Sequence, residues 1–376
     1  MRQVVTRERA REPSEERRLG YLKIQFYFMK IPFKIPSALN KKEIFVTSLD
    51  LLNNWLNQSH ASYELLPLSG DASFRRYFRL KTPDQSYIVM DAPPEKENAH
   101  YFSTLARAIE SQGVRVPHVF AEDQENGFLL LSDFGDTQLL NVLDDDSVDG
   151  WYRNAIKTLV QWQSVDVSTQ IALPDFNEKL YRYEFNLLFE WFLPKYCQVE
   201  ISNNEKLQLE SCFQLLMQSA LNQPRVFVHR DYHSRNLMVC DDGELGFLDF
   251  QDAVIGPITY DLVSLLKDCY VVWDVEKVNA WARFYFDIYA DTHLQGVSFD
   301  TFLRWFDWMG LQRHLKCLGI FSRLAFRDGK KGYLEDIPRV FDYVIGVCEK
   351  YNDFSSLKEI LSRAYNSSPL AGAHVL

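Results

Sequence analysis

Cysteine is scarce in this chain, with six residues among 376, and no two of them form a C-x-x-C pair. A zinc ribbon or a C-x-x-C redox site is therefore not indicated. Long apolar runs are also missing, because no uninterrupted run approaches the roughly 18–20 residues that cross a bilayer. No signal peptide is evident. We therefore expect a cytoplasmic protein with free thiols and no transmembrane segment.

Positive charge is also in deficit. The chain carries 41 Lys and Arg against 51 Asp and Glu, which gives a formal net charge of −10. General nucleic-acid binding needs a basic surface, so we expect no nucleic-acid partner. A polyanionic small molecule such as ATP can still bind where local cations and backbone N–H groups overcome the acidic background.

Residues 1–45 differ in composition from the rest of the chain. From Arg2 to Lys34 there are nine Lys or Arg and four Glu, and aromatic residues alternate with Lys in residues 21–35. One interpretation is a segment that lies on a membrane surface. The others are a disordered extension, or sequence upstream of a true start at Met29. We expect this N-terminal extension to be disordered and exclude it from the predicted fold.

Residues 46–134 predict a small antiparallel sheet with one packed helix. A predicted helix at 47–56 precedes the sheet, another lies at 97–112, and the predicted strands cover 63–68, 77–82, 86–90, 119–122 and 128–132. From 135 to 376 the apolar spacing is mostly helical, with one strand hairpin at 237–249. The predicted fold class is therefore α+β, with a small antiparallel-sheet N-lobe and a large helical C-lobe.

The chemistry-bearing residues are concentrated between 229 and 252. Asp231, Asn236 and Asp249 follow one another at intervals of five and thirteen residues. Phosphoryl transfer depends mainly on positioning and charge neutralisation. One carboxylate must meet the proton of the attacking hydroxyl, and separate oxygen ligands must hold Mg²⁺ against the phosphates. Asp231 fits the base and Asn236 with Asp249 fits the metal site, so the spacing predicts a kinase that acts on a hydroxyl.

The pattern His-x-Asp-x-x-x-x-Asn, followed by Asp-Phe, resembles the catalytic core of the aminoglycoside phosphotransferase superfamily. This resemblance implies a bilobal protein-kinase-like fold in which residues 46–134 bind the nucleotide and residues 135–376 carry the catalytic and acceptor-binding groups. Asp261 resembles the superfamily's helical Asp that braces the catalytic loop, although it could also cap its own helix. We expect His229 to orient the loop through backbone hydrogen bonds.

Five further stretches resemble the bacterial N-acetylmuramate/N-acetylglucosamine anomeric kinases. They are residues 70–79, 89–95, 249–253, 313–316 and 327–330. The resemblance covers most of residues 46–345. It implies ATP-dependent phosphorylation of the C1 hydroxyl of these amino sugars in peptidoglycan recycling, with ATP and Mg²⁺ as cofactors.

The expected nucleotide site departs from the pattern of protein kinases. The third predicted strand ends in Asp91, and no lysine stands where a protein kinase places its phosphate-binding Lys. Arg75, Arg76 or Lys96 could supply that cation. The glycine-rich loop is reduced to one glycine, so phosphate binding would depend on the backbone and the Ser73 hydroxyl. The predicted nucleotide-binding residues are Gly70, Asp71, Ala72, Ser73, Arg75 and Arg76.

The acceptor site is open to two interpretations. Arg313, His314 and Arg327 belong to a cation-rich segment that could bind the carboxylate of N-acetylmuramate. Alternatively, these cations form a solvated or acid-paired helix face.

Three other functions remain open at this stage. The fold also serves kinases of aminoglycosides, choline and homoserine, and the missing lysine is compatible with a nucleotide-binding protein without transfer activity. His229, Asp231 and His233 could instead be the first ligands of a metallohydrolase. Asp133-Phe134-Gly135 spells the metal-binding tripeptide of protein kinases. It lies about a hundred residues before the catalytic loop, so we interpret it as a turn between the lobes.

Overall fold

A computed structural model describes residues 41–68 and 74–370, with side chains from Ser48 onward. The described residues therefore exclude residues 1–40 of the predicted extension. They also exclude Gly70, Asp71, Ala72 and Ser73. The chain divides into two compact units, residues 1–55 and residues 56–376. Helix α1 (Lys41–Leu56) is the described part of the first unit and begins ahead of the predicted boundary at residue 46. All features below lie in the second unit.

The second unit begins with a five-stranded antiparallel sheet. Its strands are β1 (Glu64–Leu68), β2 (Arg76–Lys81), β3 (Ser86–Asp91), β4 (Val119–Asp123) and β5 (Phe128–Ser132), in the spatial order β1-β2-β3-β5-β4. Helix α2 (Ala99–Glu110) connects β3 to β4 and buries an apolar face that includes Phe102, Leu105 and Ile109. Asn98 caps this helix by accepting a hydrogen bond from the Tyr101 backbone N–H at 2.9 Å.

The remainder is mainly helical, as the apolar spacing indicates. The α-helices are α3 (Val148–Gln163), α4 (Glu178–Leu187), α5 (Asn203–Leu221), α6 (Tyr260–Leu266), α7 (Val275–Tyr289), α8 (Phe299–Asp328), α9 (Ile337–Lys350) and α10 (Ser355–Asn366). A π-helical segment, Leu188–Tyr196, continues from α4. Short 3₁₀ turns lie at Leu139–Val142, Lys331–Asp336 and Asn352–Phe354. The α+β class predicted from the sequence is confirmed.

Helix α8 is the central element of the helical part. The helix is 30 residues long and is buried without interruption from Phe306 to Gly319, so it packs on several sides against α4, α6 and α9. Gly319 permits the close approach of α4, because a Cβ at that position would lie 2.5 Å from Leu187 Cβ. Polar residues of α8 are therefore carried into the protein interior.

Two small strand pairs frame the predicted catalytic loop, residues 229–236. Strand β6 (Arg225–Val228) pairs antiparallel with β9 (Val254–Pro257), and β7 (Leu237–Val239) pairs with β8 (Leu245–Phe247). The second pair is the predicted hairpin, and its turn contains Gly243 at φ 81°. The loop that carries Asp231 and Asn236 joins β6 to β7, while Asp249 follows β8. The hairpin thus brings the distant Asp249 back beside the loop.

The Asp133-Phe134-Gly135 segment forms a turn after β5. Asp133 accepts hydrogen bonds from the Arg79 guanidinium at 2.7 Å and from the Gly135 backbone N–H at 2.9 Å. Gly135 has φ 81°, a left-handed conformation that glycine adopts readily. The Asp133 carboxylate is therefore occupied by Arg79 of β2 and by the backbone of its own turn.

Candidate active site

Asp261 holds the start of the catalytic loop. It lies fully buried in the first turn of α6 and accepts hydrogen bonds from the backbone N–H groups of His229 at 2.7 Å and Arg230 at 2.9 Å. Burial raises the pKa of Asp261 to about 7, although these two N–H groups act in the opposite direction. Through these contacts Asp261 holds the backbone of the loop in place, which is the role that the sequence resemblance implies for it.

His229 stabilises the loop from within. Its Nδ1 accepts a hydrogen bond from the Asp231 backbone N–H at 3.3 Å, and its ring packs against Trp162 with centroids 4.9 Å apart. Burial lowers the pKa of His229 to about 4, so the imidazole is neutral near pH 7. A neutral Nδ1 can accept this backbone hydrogen bond, which agrees with the orienting role predicted for His229.

The two predicted metal ligands lie beside one another. Asn236 donates from its side-chain nitrogen to the Asp231 main-chain carbonyl oxygen at 3.0 Å, and its main-chain carbonyl oxygen accepts from the Leu248 backbone N–H at 3.0 Å. Asp249, the residue after Leu248, takes a left-handed conformation with φ 62°. These contacts join the catalytic loop directly to the segment that bears Asp249.

The donor set at Asn236 and Asp249 fits Mg²⁺. Amide and carboxylate oxygens are the ligands this hard cation prefers, usually with phosphate oxygens completing the shell. Desolvation raises the pKa of Asp249 to about 6 although 46% of its side chain is exposed, with Arg75 opposing this shift and Asp231 adding to it. Gln251 Nε2 donates to Asp249 Oδ1 at 2.7 Å. A divalent cation placed here would offset the mutual repulsion of the carboxylates.

Asp231 has a strongly cationic environment. Burial alone would raise the pKa of this carboxyl group, but Lys316, followed by His233, Arg230 and Arg313, holds it below its ordinary value. Asp231 is therefore ionised near pH 7. An ionised carboxylate can accept a hydrogen bond from an attacking hydroxyl, as phosphoryl transfer requires.

Glu184 on α4 belongs to this environment and was not identified from the sequence. Its fully buried carboxylate accepts hydrogen bonds from Arg230 at 2.9 Å and from Gln312 Nε2 at 2.6 Å, and it lies 3.4 Å from Lys316 Nζ. Lys316 also donates to the Tyr260 hydroxyl at 2.9 Å. The one available signal was an acidic residue on the apolar face of a predicted helix.

The nucleotide-side cations have separate partners. Arg75 lies 3.8 Å from Glu97 and 3.8 Å from Asp249, and only 10% of its side chain is exposed. Arg76 pairs with Asp91 across β2 and β3. Lys96 lies over the Phe74 ring, 4.5 Å from its centroid. Of the three candidates, Arg75 is the one in contact with a predicted metal ligand.

The three predicted acceptor residues are dispersed. Arg313 is buried near Asp231, to which it is electrostatically attracted. His314 lies in the core, where its ring stacks on Tyr343 at 4.6 Å and burial lowers its pKa to about 3. Arg327, at the end of α8, pairs with Asp328 at 2.7 Å. The structure therefore brings Arg313 to the site and leaves His314 and Arg327 elsewhere.

The described ranges, 41–68 and 74–370, contain no group of three or more His, Cys, Asp or Glu arranged to hold a metal ion. A His-rich metallohydrolase centre at His229, Asp231 and His233 is thus not formed. No helix in the same ranges is long and apolar enough to cross a membrane.

Comparison with known proteins identifies relatives of the chain. A model of the phosphotransferase enzyme family matches residues 64–299. The N-acetylmuramate/N-acetylglucosamine kinase of Pseudomonas aeruginosa is 44% identical over 301 residues, which cover 80% of this chain and 88% of that protein. The protein of the same name from Neisseria meningitidis is 37% identical over 318 residues, with coverage of 82% and 94%.

Solved structures share the fold at low sequence identity. A choline kinase from Streptococcus pneumoniae matches with a TM-score of 0.56 and 14% identity, covering 80% of this chain and 99% of that one. An ADP-bound aminoglycoside phosphotransferase matches with a TM-score of 0.53 and 16% identity, covering 78% and 97%. These likenesses confirm the predicted protein-kinase-like fold.

Proposed function

The chain belongs to the phosphotransferase enzyme family, and on that premise we propose that it transfers the γ-phosphoryl group of ATP to the anomeric C1 hydroxyl of N-acetylmuramate and N-acetylglucosamine. The observation that carries the proposal is the joined arrangement of Asp231, Asn236 and Asp249 above the buried brace Asp261. The names of the two relatives at 44% and 37% identity support the choice of acceptor.

Asp231 acts on the acceptor hydroxyl. Its carboxylate accepts a hydrogen bond from the C1 hydroxyl and directs an oxygen lone pair toward the γ-phosphorus. The new bond forms between the C1 oxygen and the γ-phosphorus, while the bond from that phosphorus to the β,γ-bridging oxygen breaks and releases ADP. The hydroxyl proton passes to Asp231 and then to solvent. Because the pKa of Asp231 is depressed, this carboxylate is a weak base, and orientation of the hydroxyl is its larger contribution.

Asn236 and Asp249 would hold Mg²⁺. When bound, the ion neutralises phosphate charge that would otherwise repel Asp231 and Asp249. Gln251 holds the Asp249 carboxylate by a hydrogen bond, and the Leu248 N–H holds the main chain of Asn236.

Arg75 is the cation that substitutes for the lysine absent from β3. It is buried beside Asp249, and its Nε has no hydrogen-bond partner within the described residues. Glu97 fixes this region by accepting from the Phe74 backbone N–H at 3.2 Å while also facing the Arg75 guanidinium. A guanidinium held in this way can bind two phosphate oxygens at once. Gly70, Asp71, Ala72 and Ser73 complete the proposed nucleotide site through their backbone and the Ser73 hydroxyl.

The function is tested by measuring ADP release from ATP and Mg²⁺ with N-acetylmuramate, N-acetylglucosamine, choline or kanamycin as acceptor. ³¹P NMR then identifies the phosphorylated position. We expect C1-phosphates from both amino sugars and background release with the other two acceptors. Turnover with only choline or kanamycin would show that the assignment of the amino sugars as acceptors is wrong. ATP binding without turnover on any acceptor would overturn the kinase proposal in favour of a nucleotide-binding protein.

A further inference from the structure

Arg313 is a buried cation with an unusual set of partners. The residue is 3% exposed, and its guanidinium contacts two sulfur atoms, with NH1 3.5 Å from Cys269 Sγ and 3.8 Å from Cys317 Sγ. Its Nε has no hydrogen-bond partner, and no carboxylate within residues 48–68 and 74–370 lies within 4.0 Å of the guanidinium. Thiols are weak acceptors, so these contacts satisfy the cation poorly.

The neighbouring buried cations are paired differently. Arg313, Arg230 and Lys316 are the buried Lys and Arg side chains in the part of the chain that the structure describes. Arg230 and Lys316 share the carboxylate of Glu184. A buried charge without a counter-ion is costly, whereas the cost is offset when an opposite charge binds to it. Asp231 attracts Arg313 without forming an ion pair within 4.0 Å, so the guanidinium keeps positive charge that a bound anion could neutralise.

The surroundings of Arg313 are connected to the catalytic loop that carries Asp231. Its contact residue Cys269 follows Asp268, which accepts hydrogen bonds from the Ser234 backbone N–H at 2.9 Å and the Ser234 hydroxyl at 2.6 Å. Ser234 belongs to the catalytic loop, three residues after Asp231. On the other side, Lys316 lies one helical turn beyond Arg313 and is tied through Glu184 to Arg230 of the same loop. Arg313 thus lies between two attachment points of the catalytic loop.

The two proposed acceptors differ in charge. N-acetylmuramate carries a lactyl ether that ends in a carboxylate, whereas N-acetylglucosamine has a free hydroxyl at that position. A site that takes both needs a group that favours the acid without being required by the neutral sugar. A buried guanidinium meets this requirement, because a charge-assisted hydrogen bond to a carboxylate is strong in a dry environment.

We propose that Arg313 binds the carboxylate of the acidic acceptor and makes the enzyme favour N-acetylmuramate over N-acetylglucosamine. This inference rests on the proposed function. Arg313 is then a specificity-determining residue, held in place by its contacts with Cys269 and Cys317.

The test is the ratio of kcat/KM for N-acetylmuramate to kcat/KM for N-acetylglucosamine in the wild type and in Arg313→Gln. We expect the ratio to fall about 10- to 100-fold, as the loss of a charged hydrogen bond implies, with most of the change in the KM for N-acetylmuramate. Arg304→Gln is the matched control. Arg304 lies on the same helix, is half exposed and faces Asp353 at 3.6 Å, so its removal should leave the ratio unchanged.

Arg313→Lys is a second variant that keeps the inference testable if Arg313→Gln does not fold. It keeps the charge but loses the two-pronged geometry, so we expect a smaller fall in the same ratio. If both variants are folded by circular dichroism and slow the two sugars equally, the ratio stays constant and the inference is overturned while the kinase proposal stands. A wild-type protein that phosphorylates neither sugar would overturn both.

Discussion

The guanidinium of Arg230 donates to the buried carboxylate of Glu184 at 2.9 Å, although the Arg230 backbone has φ 76°, a conformation that favours glycine. Backbone strain of this kind costs on the order of 1–3 kcal/mol and persists only where surrounding contacts hold it. Here those contacts are the Glu184 ion pair and the Asp261 carboxylate beneath the backbone. The residue before the proposed base is therefore held by its side chain as well as its main chain.

Glu184→Gln should destabilise the protein strongly. The substitution leaves Arg230 and Lys316 buried without their shared counter-ion, so we expect the free energy of unfolding to fall by about 3–5 kcal/mol. Urea denaturation at pH 7 measures this. Glu178→Gln on the same helix removes an exposed pair with Arg182 and should change the value by less than about 0.5 kcal/mol. Equally small decreases in the free energy of unfolding of both variants would contradict the assigned role of Glu184.

Asp231→Asn should lower kcat about 10²- to 10⁴-fold, because an amide lacks the negative charge that orients the acceptor hydroxyl and does not take up its proton. The KM for ATP should change little, since Asp231 is assigned to the acceptor. Steady-state kinetics with N-acetylglucosamine provide the measurement, and circular dichroism establishes that the variant is folded. Near-normal turnover in a folded variant would remove Asp231 from its proposed role.

Arg75→Ala should raise the KM for ATP about 10- to 100-fold, the effect of losing a charged contact to phosphate. Arg75→Lys should recover part of the loss. Lys96→Ala provides the comparison, because Lys96 is another nearby cation and lies over Phe74. We expect its KM for ATP to stay within about twofold of the wild-type value. A larger increase in the KM for ATP in Lys96→Ala than in Arg75→Ala would make Lys96 the phosphate-binding cation.

The activity should depend on pH through Asp249. Its pKa of about 6 in the metal-free protein means that protons compete with Mg²⁺ below that pH, because the metal binds the ionised carboxylate. The ionised fraction falls from about nine-tenths at pH 7 to about one-tenth at pH 5, so the Mg²⁺ concentration for half-maximal rate should rise about tenfold. An Asp of ordinary pKa would add almost nothing to the change that protonation of ATP itself causes, which Mg²⁺ titrations of ATP alone measure separately. Magnesium titrations at fixed ATP across pH 5–8 distinguish the two cases, and Asp249→Ala should show no Mg²⁺-dependent turnover at any pH in that range.

The sheet and the helical part were predictable because their signals are local. Short apolar runs bounded by turn residues in β2 and β3 and three- or four-residue spacing in α3 and α5 specify element types without knowledge of the fold. The ends of elements were less predictable. Helix α6 stops at Leu266, and Asp268, which lies just beyond its end, accepts hydrogen bonds from Ser234 of the catalytic loop. Such a contact depends on a residue distant in sequence.

The sequence by itself determined the α+β class, the hairpin after the catalytic loop, and the spacing of Asp231, Asn236 and Asp249 that led to a kinase. Only the tertiary structure decided which charges act together. Arg313 and Lys316 turn toward the catalytic loop, His314 packs in the core and Arg327 faces solvent, although all four lie on one helix. Glu184 joins them from α4. The physical reason is that the cost or benefit of a charge depends on its burial and on partners from other elements, and neither is encoded in the local pattern.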